Sequence, residues 1–339
     1  MKIRYISVEG PGIYDLKEQE YDPATLGADE VLMETAYSAV SAGTERAWMT
    51  GNSNNPNQKY PHGIGYSASG IVLKTGKDVK NLKEGDRVLV NALGHISHGV
   101  EKAEKVYKIT DDRMDLQSAA FTFISSFPLL GVRRLRLEMG ESVMVAGLGV
   151  LGLLAVRFAV LSGAAPVFAA DMDPARRAKA LELGADKVFD PASPTYVEDV
   201  LEATGGAGVD AVVEVTGIAV ALKQVLKFTK RKKGRISLLG CTRVSDAPID
   251  FYLDVHHPGI TLIGAHTGNR PLVESMPGQW TEFDDFSTFE KFVASGRVDM
   301  HKIISCIEPI DNYRTVYENV LHGTNPPFGI VFDWKNAKA

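Results

Sequence analysis

The stretch Val143–Asp173, VMVAGLGVLGLLAVRFAVLSGAAPVFAADMD, decides the fold of this chain. A short apolar run ends in a glycine-rich turn at Gly147–Gly152, and a helix-like segment follows it. A second apolar run then ends at Asp171, which lies 19 residues after Gly152. This order of strand, glycine turn, helix, strand and acid is typical of a βαβ unit that binds a dinucleotide.

Each glycine of the turn has its own physical task. Gly147 lets the chain leave the strand in a tight turn, Gly149 lets the backbone approach a pyrophosphate, and Gly152 lets the helix pack closely on the sheet. The N–H groups and the positive dipole end of the helix then face the phosphates. The sequence therefore predicts cofactor contacts along the whole turn, which comprises Gly147, Leu148, Gly149, Val150, Leu151 and Gly152.

Asp171 discriminates between the two nicotinamide dinucleotides. Its carboxylate can accept hydrogen bonds from both hydroxyls of an adenosine ribose, and it would repel a 2′-phosphate. We therefore expect NAD(H) to be favoured over NADP(H), with Met172 beside the same ribose. Arg176 is the nearby cation that could weaken this preference. The alternative is a glycine-rich turn in an unrelated α/β fold.

Composition and charge favour a globular enzyme over a nucleic-acid or membrane protein. Of the 339 residues, 45% are hydrophobic and 23% are charged, and the formal net charge of −5 gives no basic footprint for nucleic acid. The most apolar window, 143–160, contains a glycine-rich turn and Arg157, so it predicts a buried βα unit and not a membrane span. The two cysteines, Cys241 and Cys306, imply no disulfide framework, so we expect a cytoplasmic protein.

The chain length predicts two domains. Residues 1 to about 114 contain short alternating strands and turns, which favours a β-rich, barrel-like domain. A helical stretch follows at 117–136, with Pro128 as the expected kink or break. Strands and helices then alternate, which predicts a doubly wound parallel sheet in an α/β fold.

The predicted strands of that sheet are 142–146, 167–170, 187–189, 209–215, 234–239 and 259–264. The predicted helices are 151–161, 174–183, 196–204 and 219–227. We place the first domain at 1–120, the dinucleotide-binding domain at 121–265, and a C-terminal return to the first domain at 266–339.

Several motifs, in order along nearly the whole chain, resemble the medium-chain dehydrogenase/reductase superfamily. The runs GIVLKTG from Gly70 and LKEGDRV from Leu82 are similar to that family's catalytic-domain pattern. The stretch Asp171–Asp186 is similar to its second nucleotide-site segment, and Gly205–Gly217 to its fourth strand and the turn after it. The resemblance implies a Rossmann sheet joined to a β-rich GroES-like catalytic domain. It also implies further cofactor contacts at Thr216, Gly240 and His266.

The metal-ligand positions of that family are altered here. Where zinc-dependent members have a cysteine and a histidine, this chain has Ala42 and Tyr66. The third ligand position falls near Thr122–Phe123, and the first 240 residues contain no cysteine for a structural zinc lobe. The resemblance therefore implies the zinc-independent branch, and we expect no bound zinc.

A site without zinc needs another group that binds the substrate oxygen and exchanges its proton. By resemblance, Thr44 matches a hydroxyl that contacts the substrate oxygen, and Tyr66 stands where a metal ligand would face the nicotinamide. Alternatively, Thr44 caps a helix and Tyr66 packs into the space of the metal. Glu45 matches an acid in the same loop, which acts at the site or holds a partner such as an arginine.

His95 and His98 are further acid–base candidates, because histidine titrates near neutral pH. In the family that the chain resembles, the strand before them leads into the catalytic cleft. The alternative is that both are surface histidines without a catalytic role.

Together these observations predict a zinc-independent, NAD(H)-dependent oxidoreductase. It would interconvert a secondary alcohol, such as a sugar, cyclitol or other polyol, and its ketone by hydride transfer. One alternative is an enoyl or quinone reductase of the same superfamily, although those usually use NADPH. Another is a non-catalytic nucleotide-binding protein. The expected partner is a small-molecule alcohol or ketone, and family habit implies a homodimer or homotetramer.

Overall fold

The structure is a computed structural model that describes residues 1–52, 58–242, 247–323 and 327–336. The chain folds into two units, the first formed by Met1–Ile124 with Phe286–Ala339 and the second by Ser125–Asp285. These bounds differ from the sequence-based ones at 120 and 265, because residues 266–285 belong to the second unit. Arg270 accounts for the difference. Its guanidinium donates to the carbonyl of Ser126 at 2.8 Å and pairs with Asp285 at 3.2 Å, both within the second unit.

The first unit begins with strands and short helices. They are β1 (Lys2–Gly10), β2 (Ile13–Glu20), β3 (Glu30–Val40), α1 (Ala42–Met49), β4 (His62–Gly63), β5 (Ser67–Thr75), β6 (Arg87–Asn91), β7 (His98–Lys102), β8 (Val106–Lys108), α2 (Leu116–Ala119) and α3 (Thr122–Arg134), the last of which extends into the second unit.

The second unit then alternates strands and helices. They are β9 (Val143–Ala146), α4 (Val150–Leu161), β10 (Val167–Ala170), α5 (Pro174–Glu182), β11 (Lys187–Phe189), α6 (Tyr196–Ala203), β12 (Ala211–Glu214), α7 (Ala219–Phe228), β13 (Arg235–Leu238) and β14 (Thr261–Gly264). The chain ends with α8 (Glu282–Ala294), β15 (Ile304–Pro309), α9 (Tyr313–His322) and β16 (Gly329–Asp333). Single helical turns lie at Pro23–Thr25, Ala103–Lys105, Phe251–His256, Thr267–Asn269, Met300–Lys302 and Ile310–Asn312.

The six strands of the second unit form one parallel sheet in the order β11-β10-β9-β12-β13-β14. This confirms the predicted doubly wound sheet, and every strand and helix lies within two residues of its predicted bounds. Strands β9, β10 and β12 are buried throughout, which explains why they are continuous apolar runs. The strand order reverses between β9 and β12. The connections that follow these two neighbouring strands therefore run toward opposite edges of the sheet.

Local signals set the helix ends of this unit. Asp173 caps α5, because its carboxylate accepts the N–H of Ala175 at 2.8 Å, and Pro174 occupies the first turn as predicted. Of the two outcomes expected at Pro128, a kink or a break, the structure excludes the break. Helix α3 continues through Pro128, and the break lies before it, at 120–121, between α2 and α3.

The first unit is built on a seven-stranded sheet in the order β15-β16-β3-β5-β6-β8, with β7 also paired to β3. A smaller sheet has the order β2-β1-β4. Strand β16 pairs antiparallel with β3, so the end of the chain completes the sheet that its beginning starts. This agrees with the β-rich first domain that the sequence predicts.

Helix α9 closes the core beneath α1. Its buried residues recur at helical spacing and are Tyr313, Val316, Tyr317, Val320 and Leu321. They pack with Met49 of α1 and with Phe332 of β16. Within the described part of the chain, no helix combines the length and apolar character needed to cross a membrane.

Candidate functional site

The glycine turn leaves β9 in a conformation that only small residues fit. Gly147 has a φ of +94°, and a Cβ atom there would lie 2.8 Å from the methyl group of Thr216. A Cβ at Gly152 would clash with the carbonyl oxygen of Gly147. Gly149, the N-cap of α4, has open space where its side chain would be. The start of α4 is therefore open to a ligand, as a pyrophosphate site requires.

Asp171 follows β10 and is tied to the glycine turn. Its Oδ2 accepts the N–H of Leu148 at 2.8 Å, and its Oδ1 accepts the N–H of Asp173 at 2.9 Å. The Arg176 guanidinium lies 3.9 Å from Oδ2, at the edge of ion-pair range. Arg177, which the sequence did not single out, donates to the backbone carbonyl of Asp171 at 2.7 Å. The acid and the turn thus form one rigid unit at the end of two adjacent strands.

The other predicted cofactor residues follow the remaining strands. Thr216, Gly240 and His266 lie two residues after β12, β13 and β14, so parallel strands bring all three to the carboxyl edge of the sheet. Gly240 passes so close to Gly217 that a Cβ would clash with its backbone nitrogen. The exposed His266 ring accepts the N–H of Gly268 at 3.0 Å and so shapes its own turn.

Sequence reasoning missed Glu214, the last residue of β12. Its buried carboxylate accepts the N–H of Thr216 at 2.8 Å, the hydroxyl of Thr216, and the N–H of Gly217 at 3.2 Å. Burial raises the pKa of this carboxyl group, against the lowering effect of those hydrogen bonds. An acidic residue at the end of an apolar strand, as at Asp171, was the sequence signal that could have identified Glu214. Glu214 holds Thr216 in position at the carboxyl edge of the sheet.

The first unit holds a separate cluster of hydroxyl groups at the start of α1. Ser41 is the N-cap residue, yet its side chain makes no capping bond to the helix. Instead, the phenol of Tyr66 donates a hydrogen bond to the Ser41 hydroxyl. Glu45 reaches back from α1 and accepts the N–H of Ser41 at 2.7 Å. Thr44, half-buried, lies on the same helical turn.

Behind this cluster lies a fully buried polar network. The second oxygen of Glu45 accepts the phenol of Tyr317 at 2.8 Å and lies 3.2 Å from Nε2 of His95. His95 Nδ1 lies 2.7 Å from the hydroxyl of Ser38, which also accepts the indole N–H of Trp334 at 2.9 Å. Burial and the adjacent carboxylate raise the pKa of Tyr317 well above its usual value. The network anchors α1 and therefore holds Ser41 in place.

The catalytic candidates from the sequence thus separate into two groups. Tyr66, which contacts Ser41, and Thr44 are partly exposed. Glu45 and His95 have no exposed side-chain surface, which argues against direct contact with substrate. His98 lies on β7 opposite Glu34, with its Nδ1 3.1 Å from the Ser97 hydroxyl. Burial lowers the pKa of His98.

The donor set of this cluster does not suit a tetrahedral zinc ion. Ala42 offers only a methyl group, and the Tyr66 phenol is hydrogen-bonded to Ser41. Zinc sites in proteins are built from cysteine, histidine and carboxylate ligands. Within residues 1–52, 58–242, 247–323 and 327–336, no three or more of these side chains converge so that they could share a metal ion.

Two family models match the chain. The model described as "Alcohol dehydrogenase GroES-like domain" matches residues 27–122. The model described as "Zinc-binding dehydrogenase" matches residues 150–287. The first match falls in the first unit, and the second falls almost entirely in the second unit.

Relatives include the (R,R)-butanediol dehydrogenase of Bacillus subtilis (strain 168), which is 31% identical over 200 residues. That alignment covers 51% of this chain and 57% of the relative, so it spans little more than half of that protein. The L-threonine 3-dehydrogenase of Caldanaerobacter subterraneus subsp. tengcongensis is 27% identical over 328 residues, which cover 88% of this chain and 90% of the relative.

Solved structures show the same fold at low sequence identity. A structure described as a zinc-binding dehydrogenase from Sinorhizobium meliloti 1021, bound to NADP, has a TM-score of 0.83 and 20% identity, covering 98% of this chain and 99% of that chain. A structure described as a short chain alcohol dehydrogenase from Escherichia coli CFT073, complexed with NADH, has a TM-score of 0.82 and 17% identity, covering 98% and 99%. The two-unit architecture is therefore shared across the whole length of the chain.

Proposed function

Because this chain belongs to the medium-chain dehydrogenase/reductase superfamily, whose members are alcohol dehydrogenase-like, we propose that it interconverts a secondary alcohol and its ketone. As an NAD(P)-dependent oxidoreductase of the alcohol dehydrogenase type, it would use NAD(H) for this reaction. The observation that carries this proposal is the Asp171 carboxylate, fixed beside the open glycine turn by the N–H of Leu148. That placement suits a dinucleotide with two free ribose hydroxyls.

The second unit would hold the cofactor, which supplies the hydride acceptor when bound. The N-terminus of α4 at Gly149 would bind the pyrophosphate, and Asp171 would accept hydrogen bonds from the ribose hydroxyls. The relatives named above include a structure with NADP and one with NADH, so the preference needs its own argument. Asp171 disfavours a 2′-phosphate. The nearby cation, Arg176, is already paired with Asp171 at 3.9 Å and with Asp173 at 3.7 Å.

The first unit would handle the proton. As the hydride reaches a ketone carbon, the Tyr66 phenol donates its proton to the ketone oxygen, and an alcohol forms. The Ser41 hydroxyl, already bonded to Tyr66, then stabilises the phenolate until solvent returns a proton. In the reverse direction the phenolate accepts the alcohol proton as the carbinol hydrogen leaves with its electron pair. Thr44 donates a hydrogen bond to the same oxygen.

We propose that this chemistry proceeds without zinc, although one matching family model is described as zinc-binding. Ala42 and Tyr66 support this, because neither offers a usual zinc ligand. Metal analysis of the purified protein should give far less than one zinc per chain, and activity should persist after treatment with a chelator. Stoichiometric zinc whose removal abolishes activity would contradict this proposal.

The decisive experiment is a cofactor and substrate screen. The protein is incubated with NAD+ or NADP+ and secondary alcohols, and with NADH or NADPH and ketones, enones and quinones, while nicotinamide absorbance is followed. We expect NAD+-dependent oxidation of secondary alcohols. Reduction of enones or quinones with NADPH, without alcohol oxidation, would replace this proposal with the enoyl or quinone reductase alternative. Tyr66→Phe should lower kcat by roughly 100-fold or more, the usual contribution of a general acid.

We also propose that the chain forms a homodimer or homotetramer through the edge of the Rossmann sheet. Strand β14 is the last strand of that sheet, with Leu262 and Ile263 only partly covered. Exposed edge strands favour pairing with another chain. The helical turn after residue 250 adds the exposed side chains Phe251, Tyr252 and Leu253. Light scattering after gel filtration should give a dimer or tetramer mass, and a monomer at micromolar concentration would contradict this.

A further inference from the structure

Five aromatic side chains of the first unit form a continuous row, the aromatic wall, made of Trp48, Tyr60, His62, Tyr66 and Phe123. Ring centroids are 5.3 Å apart for Tyr60 and His62, 6.1 Å for His62 and Trp48, and 6.2 Å for Trp48 and Tyr66. Tyr66 and Phe123 follow at 5.5 Å. All five side chains are partly exposed. The partly exposed rings of Trp48 and Phe123 are therefore the neighbours of the Tyr66 ring in this row.

The aromatic wall differs from the other aromatic cluster of this unit. Tyr14, Tyr317 and Phe332 also contact one another, but they are buried in the hydrophobic core. Trp48 and Tyr60 of the wall pack against this same core but remain partly exposed. Trp48 and Phe123 keep accessible surface next to Tyr66, the group that we propose exchanges a proton with the substrate. An accessible apolar row beside a reactive hydroxyl is what a substrate pocket requires.

Gln58 holds the aromatic wall in shape. Its Nε2 lies 2.9 Å from the carbonyl oxygen of Trp48, 2.9 Å from Nε2 of His62 and 3.2 Å from the phenol oxygen of Tyr60. Its Oε1 is buried and has no hydrogen-bond partner among the described residues. Because this oxygen is enclosed by protein, Gln58 acts on the aromatic wall through its amide nitrogen.

From these contacts we propose that the aromatic wall binds the flat apolar face of a cyclic secondary alcohol or ketone, an inference that rests on the proposed function. A ring gives a broad C–H surface that can lie against the aromatic rings while its reacting hydroxyl group points sideways toward Tyr66. An open-chain alcohol offers no comparable face and loses more conformational freedom when it is ordered.

Matched substrate pairs test this directly in the full-length protein with NAD+. Cyclohexanol and 3-hexanol have six carbons and one secondary hydroxyl each, and myo-inositol and sorbitol have six carbons and six hydroxyls each. For each pair that is turned over, we expect kcat/KM to favour the cyclic member by roughly two- to tenfold, the range of an added aromatic contact. Equal or reversed values would overturn the inference while leaving the proposed function intact.

A variant of the aromatic wall tests the assignment. Trp48→Leu should bring the cyclic to open-chain ratio close to one, mainly through kcat/KM of the cyclic member. Phe123→Leu serves as a second variant if Trp48→Leu does not fold by circular dichroism. The control is Tyr37→Leu, because Tyr37 lies on β3 beneath Lys335 and outside the aromatic wall. A ratio unchanged in both wall variants would refute the assignment.

Ligand binding separates this inference from the proposed function. Ligand-observed NMR with cyclohexanol measures binding whether or not the alcohol is oxidised. Binding that is lost in Trp48→Leu, without any turnover, would support the aromatic wall and overturn the proposed reaction. Absence of both binding and turnover for cyclic and open-chain alcohols alike would overturn both.

Discussion

Replacing Asp171 by asparagine is the sharpest test of the cofactor site. Each carboxylate oxygen of Asp171 already accepts one backbone N–H, from Leu148 at 2.8 Å and from Asp173 at 2.9 Å. Each oxygen therefore keeps about one acceptor position for a ribose hydroxyl. Asparagine retains a single acceptor atom, and its amide would face one of the two backbone donors.

The expected cost follows from that count. One hydrogen bond from a ribose hydroxyl is lost, and the other is now made to a neutral amide oxygen and not to a charged carboxylate. Hydrogen bonds to charged groups contribute about 1.5–3 kcal/mol each. A total of about 3 kcal/mol corresponds to roughly 100-fold weaker NAD+ binding. NADP+ should suffer less, because the repulsion of its 2′-phosphate disappears and Arg176 loses its carboxylate partner. The dissociation constant for NADP+ divided by that for NAD+ should therefore fall.

Isothermal titration with NAD+ and with NADP+ measures both constants. Asp173→Asn is the matched control, since Asp173 is also an acid but caps α5 through Ala175, a role that asparagine can keep. It should leave both constants within about threefold of the wild-type values. If Asp171→Asn weakened both dinucleotides equally, the effect would come from a distorted turn. If it changed neither, the assignment of the ribose site would be wrong.

Three further changes test the framework. Gly149→Ala should weaken NAD+ binding with little change in the free energy of unfolding, because its Cβ meets no protein atom. Gly152→Ala should reduce both NAD+ affinity and the free energy of unfolding, because its Cβ would clash with the backbone. Isothermal titration measures the affinity, and urea unfolding measures the stability. Asp285→Asn should cost about 3–5 kcal/mol in urea unfolding, because it leaves two largely buried guanidinium groups without their carboxylate. The pKa of Glu141 is lowered from its usual 4.5, chiefly by hydrogen bonds from Arg235. The stabilisation that the Glu141 carboxylate gives the folded state is therefore complete above pH 4.5 and is lost as the pH falls through the lowered pKa. Glu141→Gln should thus reduce the free energy of unfolding at pH ~7 and have little effect near pH ~2.

Each of these has a contradicting outcome. A Gly149→Ala protein that unfolds at lower urea concentration would show that the open space at Gly149 is misjudged. Glu282→Gln removes a more exposed partner of Arg270, 3.4 Å away, and should cost less than about 1 kcal/mol, so an equal loss for Glu282→Gln and Asp285→Asn would contradict the burial argument. Glu138→Gln, at an exposed position nearby, should leave the pH dependence of unfolding unchanged.

The second unit was predictable because its signals are local. Its inner strands are buried on both faces and so read as apolar runs, while the glycine turn, the Asp173 cap and Pro174 are neighbours in sequence. Pro128 shows the limit of such reasoning, since α3 runs through it. Whether a proline breaks a helix depends on the packing around that helix, which no local pattern contains.

The catalytic half depended on contacts between distant parts of the chain. Tyr66 meets Ser41 across 25 residues, and Glu45 meets Tyr317 across 272. The sequence alone identified Tyr66 and Glu45 as candidates but not their partners. Sheet register and the return of α9 set those pairings, because both place backbone segments side by side regardless of their separation along the chain.

The sequence by itself therefore determined the parallel sheet, the glycine turn and the acid that follows it. Tertiary structure alone decided that His95 is enclosed in the core with Glu45, and that Ser41 is the partner of the Tyr66 phenol. The physical reason is the range of the forces involved. Apolar periodicity and capping act within a few residues, whereas burial and hydrogen-bond pairing are settled only when distant segments pack together.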